Sequence, residues 1–215
     1  MMTITIEEAQ KWYQDADPVH DFQHVLRVYR LAERLAVKEG ADLQIVRAAA
    51  LLHDSRGSAP GQDGNERAGH HITSAAFAGE VLSEKNWPPE KIRAVQHCIR
   101  AHRFRGEKDK PETLEAKVLF DADKLDVLGA IGAARTIAYA ALDGQPSYVE
   151  PSEQFLKTGK KEPGEPHSSY HEYLFKLRNV KGRMFTESGK ALAEGRHDYL
   201  VSFYEQLQAE ARGER

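Results

Sequence analysis

The apolar residues of this chain recur at helical spacing along most of its length. One early stripe, at positions i, i+4, i+7 and i+11, consists of His24, Val28, Leu31 and Leu35. Residues at these intervals share one face of an α-helix, where they can pack against a core. No stretch of useful length alternates apolar and polar residues as a half-buried strand does, and the sequence shows no internal repeat. The pattern predicts an all-α fold.

Capping residues divide this pattern into helices. The segment Thr5–Glu8 has the spacing of a capping box and predicts the start of a first helix. Asp17 and Pro18 predict the start of a second helix, which runs to about Gly40. Asp42 is placed to cap a third helix.

The rest of the chain alternates between polar and apolar stretches. Gly, Ser and Pro predict a loop over Ser55–Asn65, which two helices follow, over about 66–85 and from Pro88 to near Arg103. The most hydrophobic stretch, about 112–142, predicts a central buried helix or helix pair. We therefore expect one domain over residues 1–215, with a core at about 20–142, a polar loop at about 143–167 and C-terminal helices at about 168–211.

The composition argues against several classes of protein. The chain has 215 residues, and its 30 Lys and Arg against 33 Asp and Glu give a net charge of −3, which offers no platform for nucleic acid. No apolar run approaches the roughly 18 residues of a membrane-spanning helix, and the N-terminus has no secretory signal pattern. The single cysteine, Cys98, excludes an internal disulfide framework. These features predict a cytoplasmic protein that does not enter a membrane.

Four polar residues occupy positions where the helical pattern favours apolar ones: His24, His53, Asp54 and Asp123. Taken singly, a buried histidine is usually hydrogen-bonded in the core, and a buried aspartate is usually paired with Lys or Arg. Taken together, two imidazoles and two carboxylates that face inward match the ligands of a divalent transition metal. Such an ion can lower the pKa of a bound water and neutralise charge on a phosphoryl oxygen. The pattern indicates a hydrolytic metal site.

The order of these residues resembles that of the HD-domain superfamily of metal-dependent phosphohydrolases. His24 precedes the dipeptide His53-Asp54 by one helix, and Asp123 lies in DADKLDVLGAIG. Three longer stretches are similar to bacterial HD-domain nucleotide pyrophosphohydrolases: HDFQHVLRVYRLA, TLEAKVLFDADKLDVLGAIGAART and FKLRNVKGRMFTESGKALAEGRHDYL. The resemblance implies a helical HD-domain fold with a C-terminal helical extension. It also implies a bound Mn²⁺, Mg²⁺ or similar ion, with His24, His53, Asp54 and Asp123 as its ligands.

Asp121 and Asp126 compete with Asp123 for the last ligand position. On a regular helix Asp121 points about 200° away from Asp123, so both cannot face one ion. The family motif places the ligand in the Ala-Asp pair before Lys-Leu. The resemblance therefore implies Asp123 as the ligand and a supporting role for Asp121.

The two helices after the HD motif carry four more histidines. We predict His71 and His97 as catalytic residues that bind phosphate or transfer protons, because His71 opens a helix whose amides favour an anion and His97 lies off the apolar stripe. His70 and His102 are weaker candidates, and His102 has the position of a core histidine. Some HD enzymes hold a second metal with such histidines. We do not expect one here, because the additional carboxylates are not evident.

Three further residues are predicted to bind substrate: His20, Lys124 and Arg103. Each has a plainer alternative as a partly exposed or surface side chain. The polar segment at about 143–167 either closes over a polyphosphate as a lid or is a solvated loop.

The resemblance implies hydrolysis of a (deoxy)nucleoside triphosphate to the monophosphate and pyrophosphate. One alternative is a nucleoside monophosphate phosphatase or a phosphodiesterase. The other is a nucleotide-sensing module without turnover, which the four buried ligand-type residues disfavour. In each case the partner is a small-molecule nucleotide, and its base, its sugar and the oligomeric state stay open.

Overall fold

The computed structural model describes residues 2–13, 22–56, 64–104 and 109–215, with the backbone alone for 64–68. Within these residues it contains ten α-helices and no β-strand, which confirms the predicted all-α fold. The helices are α1 (Ile6–Gln10), α2 (Phe22–Glu39), α3 (Leu43–Leu52), α4 (Gly64–Glu84), α5 (Pro89–Ala101), α6 (Leu114–Leu125), α7 (Gly129–Leu142), α8 (Glu153–Thr158), α9 (Ser169–Phe175) and α10 (Glu187–Ala211). Three short 3₁₀ helices accompany them: Lys11–Tyr13, Leu177–Asn179 and Lys181–Arg183.

Two of the predicted helix caps are present in the structure. At the start of α1, the backbone N–H of Glu8 donates to Oγ1 of Thr5 over 3.2 Å. At the start of α3, the N–H groups of Gln44 and Ile45 donate to Oδ1 of Asp42 over 2.8 and 3.3 Å. These bonds satisfy amides that have no partner within the helix, and both predictions are confirmed.

The start of α2 and the chain that follows residue 56 border residues that the structure does not describe. The predicted end of α2 near Gly40 is confirmed, because the helix ends at Glu39. Gly40 follows with a φ of 77°, a conformation that glycine adopts without strain. The predicted cap at Asp17 and Pro18 lies outside the described residues. So does most of the loop predicted over Ser55–Asn65, whose last two residues belong to α4.

The hydrophobic stretch in the middle of the chain forms a pair of helices, α6 and α7. A glycine is required in the first turn of α7, because a Cβ at Gly132 would overlap the backbone carbonyl of Val127. No single helix in the described part of the chain is long and apolar enough to cross a membrane, and only α6 and α7 taken together reach that length.

The chain divides into two compact units. The first comprises Met1–Asp123 together with Met184–Gly189. In it α3 packs against both α2 and α5, and α5 packs against α4. Because α3 is nearly all apolar and its Val46, Ala49 and Leu52 are fully buried, this helix carries the residues that follow it into the interior.

The second unit comprises Lys124–Arg183 together with Lys190–Arg215. Tyr204 is fully buried there and stacks on Tyr173, with ring centroids 4.4 Å apart. The long polar segment belongs to this unit and contains α8, a helix that the sequence analysis did not predict.

The polar segment is organised by the carboxylate of Glu165. It accepts hydrogen bonds from the backbone N–H and the hydroxyl of Ser152, from the N–H of Glu162 and from Nε2 of His171. Ser152 in turn caps α8, and Gly159 ends it with a φ of 70°. Internal hydrogen bonds therefore order a segment whose composition suggested a loop.

Candidate metal centre

The histidine of the HD dipeptide is positioned by the end of α3. His53 is the C-cap of that helix, and its Nδ1 lies 2.8 Å from the carbonyl oxygen of Ala50. A carbonyl only accepts, so Nδ1 carries the proton and the neutral ring presents a lone pair at Nε2. His53 is fully buried, which fixes the direction of that lone pair.

His102 repeats this arrangement at the end of α5. It is the C-cap, it is buried, and its Nδ1 lies 2.5 Å from the carbonyl oxygen of Ile99. A hydrogen bond on the far ring nitrogen is how proteins commonly orient a metal-binding imidazole. The histidines at the ends of α3 and α5 thus each present an Nε2 lone pair, because Nδ1 donates to a carbonyl three residues earlier.

The four predicted ligands converge in the first unit. Nε2 of His24 lies 3.4 Å from Nε2 of His53 and 3.4 Å from Oδ1 of Asp123. Oδ2 of Asp54 lies 3.5 Å from Nε2 of His53 and 3.8 Å from Nε2 of His24. Donor atoms about 2.1 Å from a common ion are roughly 3–3.5 Å from one another. His24, His53 and Asp123 form a group of ligand atoms that can hold a cation, with Asp54 beside it.

A second group of ligand atoms shares Asp54 with the first. Oδ1 of Asp54 lies 3.0 Å from Nε2 of His70 and 3.4 Å from Nε2 of His102. This oxygen is buried, and both imidazole nitrogens face it. A buried carboxylate oxygen needs a hydrogen-bond donor or a cation as its partner. Asp54 therefore offers one oxygen to each group.

The protonation states of the centre suit a cation. Burial opposes ionisation of Asp54, yet His53, His102 and His70 together hold the pKa of its carboxyl well below its usual range. Burial lowers the pKa of His102 to about 4, against the attraction of Asp54. At neutral pH the centre therefore holds an ionised carboxylate and a neutral imidazole, the forms that bind metals.

The three aspartates of DADKLD have different partners. Asp123 joins the group that contains His24 and His53. The carboxylate of Asp121 accepts the backbone N–H groups of Phe185 and Thr186, and Asp126 pairs with Arg135 over 2.5 Å. Asp121 and Asp126 are thus engaged elsewhere, which leaves Asp123 as the member of the motif that faces the imidazoles.

The predicted catalytic histidines lie outside both groups of ligand atoms. Nδ1 of His71 is buried and has no hydrogen-bond partner within the described residues, and burial, with His70 and Arg103, lowers the pKa of the ring. Nε2 of His97 accepts the backbone N–H of Glu112 over 3.3 Å. The expectation that His71 opens a helix is wrong, because α4 begins at Gly64 and His71 lies about two turns inside it. The catalytic roles of both histidines stay predictions.

The predicted substrate-binding residues are spread over the chain. Arg103 contacts the centre, because its Nη1 lies 3.0 Å from Nδ1 of His70. Lys124 is half-buried near the end of α6 and is counted in the second unit. His20 lies outside the residues that the structure describes.

His70 and His102 lie closer to the centre than their sequence positions suggested. The end of α5 repeats the end of α3, because the buried face of each helix finishes on a histidine, and this similarity was available from the sequence. The hydrogen bonds to Ala50 and Ile99, which set the ring orientations, were not.

The chain is similar to one known family and to several known proteins. Residues 21–128 match the HD domain family. The chain is 30% identical over 214 residues to the protein YpgQ of Bacillus subtilis (strain 168), which covers 96% of this chain and 94% of that one. The crystal structure of Bacillus subtilis YpgQ in complex with ADP has a TM-score of 0.74 and 28% identity, over 98% of this chain and 100% of that one. The crystal structure of an HD-superfamily hydrolase from Bacillus thuringiensis has a TM-score of 0.70 and 30% identity, over 96% and 94% of the two chains.

Proposed function

This chain belongs to the HD-domain family of metal-dependent phosphohydrolases, and from that premise we propose that it hydrolyses nucleotides. The favoured reaction converts a (deoxy)nucleoside triphosphate to the monophosphate and pyrophosphate. One observation carries the proposal: ligand atoms of His24, His53, Asp54 and Asp123 converge. The ADP bound to YpgQ supports a nucleotide as the substrate class.

The proposed metal ligands are His24, His53, Asp54 and Asp123. Two imidazoles with two carboxylates favour Mn²⁺, and Mg²⁺ is the alternative because carboxylates also suit that ion. An ion held there would supply Lewis acidity for attack of water on phosphorus.

The residues of the chain have distinct proposed tasks. His53 donates its Nδ1 proton to the carbonyl of Ala50, so its Nε2 would be available to hold a metal ion. We assign proton transfer or phosphate binding to His71 and His97, and contacts with substrate phosphates to His20 and Arg103.

A nucleotide panel tests the proposal. The metal-reconstituted protein is incubated with nucleoside triphosphates, diphosphates, monophosphates and cyclic nucleotides, and pyrophosphate and orthophosphate are measured separately. We expect pyrophosphate and a monophosphate from at least one triphosphate. The Asp54→Asn variant, which loses a charged ligand, is the control for contaminating enzymes.

The other outcomes identify the alternatives. Orthophosphate from a monophosphate would show a phosphatase, and a ring-opened cyclic nucleotide would show a phosphodiesterase. Tight binding of one nucleotide without any product would show a sensor.

A further inference from the structure

Arg103 and His70 are joined by a contact that permits only one arrangement of protons. Nη1 of Arg103 lies 3.0 Å from Nδ1 of His70. A guanidinium can donate hydrogen bonds but cannot accept them. Nδ1 of His70 therefore presents a lone pair, and in the neutral ring the proton is on Nε2.

That proton faces the second group of ligand atoms. Nε2 of His70 lies 3.0 Å from Oδ1 of Asp54 and 3.4 Å from Nε2 of His102. Because a carboxylate oxygen accepts hydrogen bonds, His70 donates its Nε2 proton to Oδ1 of Asp54. The hydrogen bonds therefore run from Arg103 through His70 to Asp54.

A ring nitrogen that carries a proton has no lone pair for a metal ion. To bind an ion through Nε2, His70 would have to carry its proton on Nδ1, where it would oppose the N–H of Arg103 at 3.0 Å. The group of Asp54, His70 and His102 has the spacing of a metal site, but the proton on His70 disfavours an ion there. His53, in the first group, has its lone pair at Nε2.

We propose that Arg103 confines this centre to one metal ion by holding His70 with its proton on Nε2. The inference rests on the proposed function, because it requires an ion at the first group. Arg103 is thereby a specificity-determining residue for the number of metal ions.

Metal counting tests the inference directly. Wild type, Arg103→Met, Arg103→Lys and Arg100→Met are dialysed to equilibrium against saturating Mn²⁺, and bound Mn is measured by elemental analysis. We expect one ion per chain in wild type and two in Arg103→Met, where His70 can carry its proton on Nδ1. Arg103→Lys keeps a donor and should bind one ion. Arg100→Met removes a positive charge three residues earlier in the chain, near Asp109 rather than His70, and this variant should also bind one ion.

The proton position is measured independently of metal and of activity. Two-bond ¹H–¹⁵N spectra of the apoprotein distinguish a proton on Nε2 from one on Nδ1. We expect Nε2–H on His70 in wild type and a shift toward Nδ1–H in Arg103→Met. The wild-type spectrum decides the inference even if that variant does not fold.

Several results would overturn the inference. Two ions in wild type, one ion in folded Arg103→Met, or a proton on Nδ1 of His70 in wild type would each do so and leave nucleotide hydrolysis intact. Two ions in Arg100→Met would show a general effect of charge and reject the role of Arg103. A wild-type protein that binds no Mn²⁺ and hydrolyses no nucleotide would instead remove the proposed function, and the inference with it.

Discussion

A carboxylate can serve two neighbouring groups of ligands only if its oxygens face different ways, as those of Asp54 do. Oδ2 faces His53 and His24, whereas Oδ1 faces His70 and His102. The position of Asp54 after the C-cap of α3 gives it this place between the helices. Single substitutions can therefore distinguish residues that bind the metal from residues that act only in turnover.

Asp123 and Asp126 provide a matched pair of substitutions. We expect Asp123→Asn to weaken Mn²⁺ binding on the order of 10²-fold or more and to abolish turnover. Loss of a residue that only orients a ligand already lowers metal affinity by about 10- to 100-fold, and loss of a ligand should lower it at least as much. Asp126→Asn keeps an acceptor for Arg135 and should leave the Mn²⁺ affinity unchanged. Titration of the apoproteins with Mn²⁺ measures both. Equal affinities in the two variants would reject Asp123 as a ligand.

His71 and His97 are tested by activity and metal content together. We expect His71→Ala and His97→Ala to retain their metal, since neither imidazole belongs to the groups of ligand atoms around Asp54. If each positions a proton or a phosphate, kcat should fall about 10²- to 10⁴-fold. Full activity in both variants would show that these histidines are structural.

At the scale of helices, Asp121 connects α6 to the start of α10 within the first unit. Its carboxylate accepts the N–H of Phe185 over 2.9 Å and the N–H and hydroxyl of Thr186 over 2.7 and 2.6 Å. The same hydroxyl accepts the N–H of Gly189. These bonds hold the turn of α6 that bears Asp123, so the supporting role foreseen for Asp121 has a physical basis.

Glycine at position 189 makes room for this carboxylate. A Cβ there would overlap Oδ2 of Asp121, whereas a Cβ at Gly195, farther along the same helix, meets nothing within 4 Å. We expect Gly189→Ala to lower the free energy of unfolding by about 1–3 kcal/mol through overpacking. Gly195→Ala should raise it by about 0.5–1 kcal/mol through helix propensity. Urea unfolding measures the free energy of unfolding of both variants. If both substitutions stabilise the protein, the Asp121 carboxylate moves away from the added Cβ without cost, and the prediction is wrong.

The hydrogen bonds of Glu165 predict an acid-dependent loss of stability. The backbone N–H of Ser152, with that of Glu162 and the side chains of Ser152 and His171, lowers the pKa of Glu165 to about 2, against the effect of burial. A carboxyl with a depressed pKa in the folded state stabilises the protein above its ordinary pKa of 4.5, and this contribution is lost as pH falls toward 2. The difference in melting temperature between wild type and Glu165→Gln should therefore narrow from pH 5 to pH 2. Glu162→Gln is the control, and a constant difference for Glu165→Gln would contradict the prediction.

Local signals in the sequence predicted more of the helices than of the contacts between them. Thr5 and Asp42 cap helices through amides two or three residues away, so short stretches of sequence suffice. The helix α8 was missed because its stabilising acceptor, Glu165, lies 13 residues after Ser152 in a segment of loop-like composition.

The sequence likewise predicted part of the candidate centre and missed the rest. Helical spacing and the HD motif indicated His24, His53 and Asp123 as inward-facing residues. The ring orientations of His70 and His102 depend on Arg103 and on the carbonyl of Ile99, and periodicity contains no information about such bonds. Metal binding by the four predicted ligands stays a prediction.

Over the whole molecule, the match to the HD domain covers residues 21–128, and the structural relatives extend over nearly the full length. The chain passes through the first unit twice, because Met184–Gly189 belongs to it. The prediction of a single domain stays a prediction. Asp54 and Asp123 are each half-buried in the first unit, so we expect a cation that binds them to stabilise that unit.

Removal of metal should destabilise the folded protein. An ion that binds only the native state adds about 2.7 kcal/mol when its free concentration is 100 times its Kd. We expect a chelator to lower the Tm of wild type, added Mn²⁺ to restore it, and neither to affect Asp54→Asn. Identical melting curves for wild type with and without chelator would mean that protein groups alone satisfy the carboxylates.

The bonds between Asp121 and the start of α10 also bear on the synthesis of the protein. Phe185 and Thr186 are translated 64 and 65 residues after Asp121, so the nascent chain carries α6 long before the donors for that carboxylate exist. A carboxylate without its donors stays in water, since burying it would be costly. The hydrogen bonds that fix the turn bearing Asp123 therefore form only after most of the chain has been synthesised. Until then, the nascent chain carries the other proposed metal ligands, His24, His53 and Asp54, without the ordered helix turn that would add Asp123.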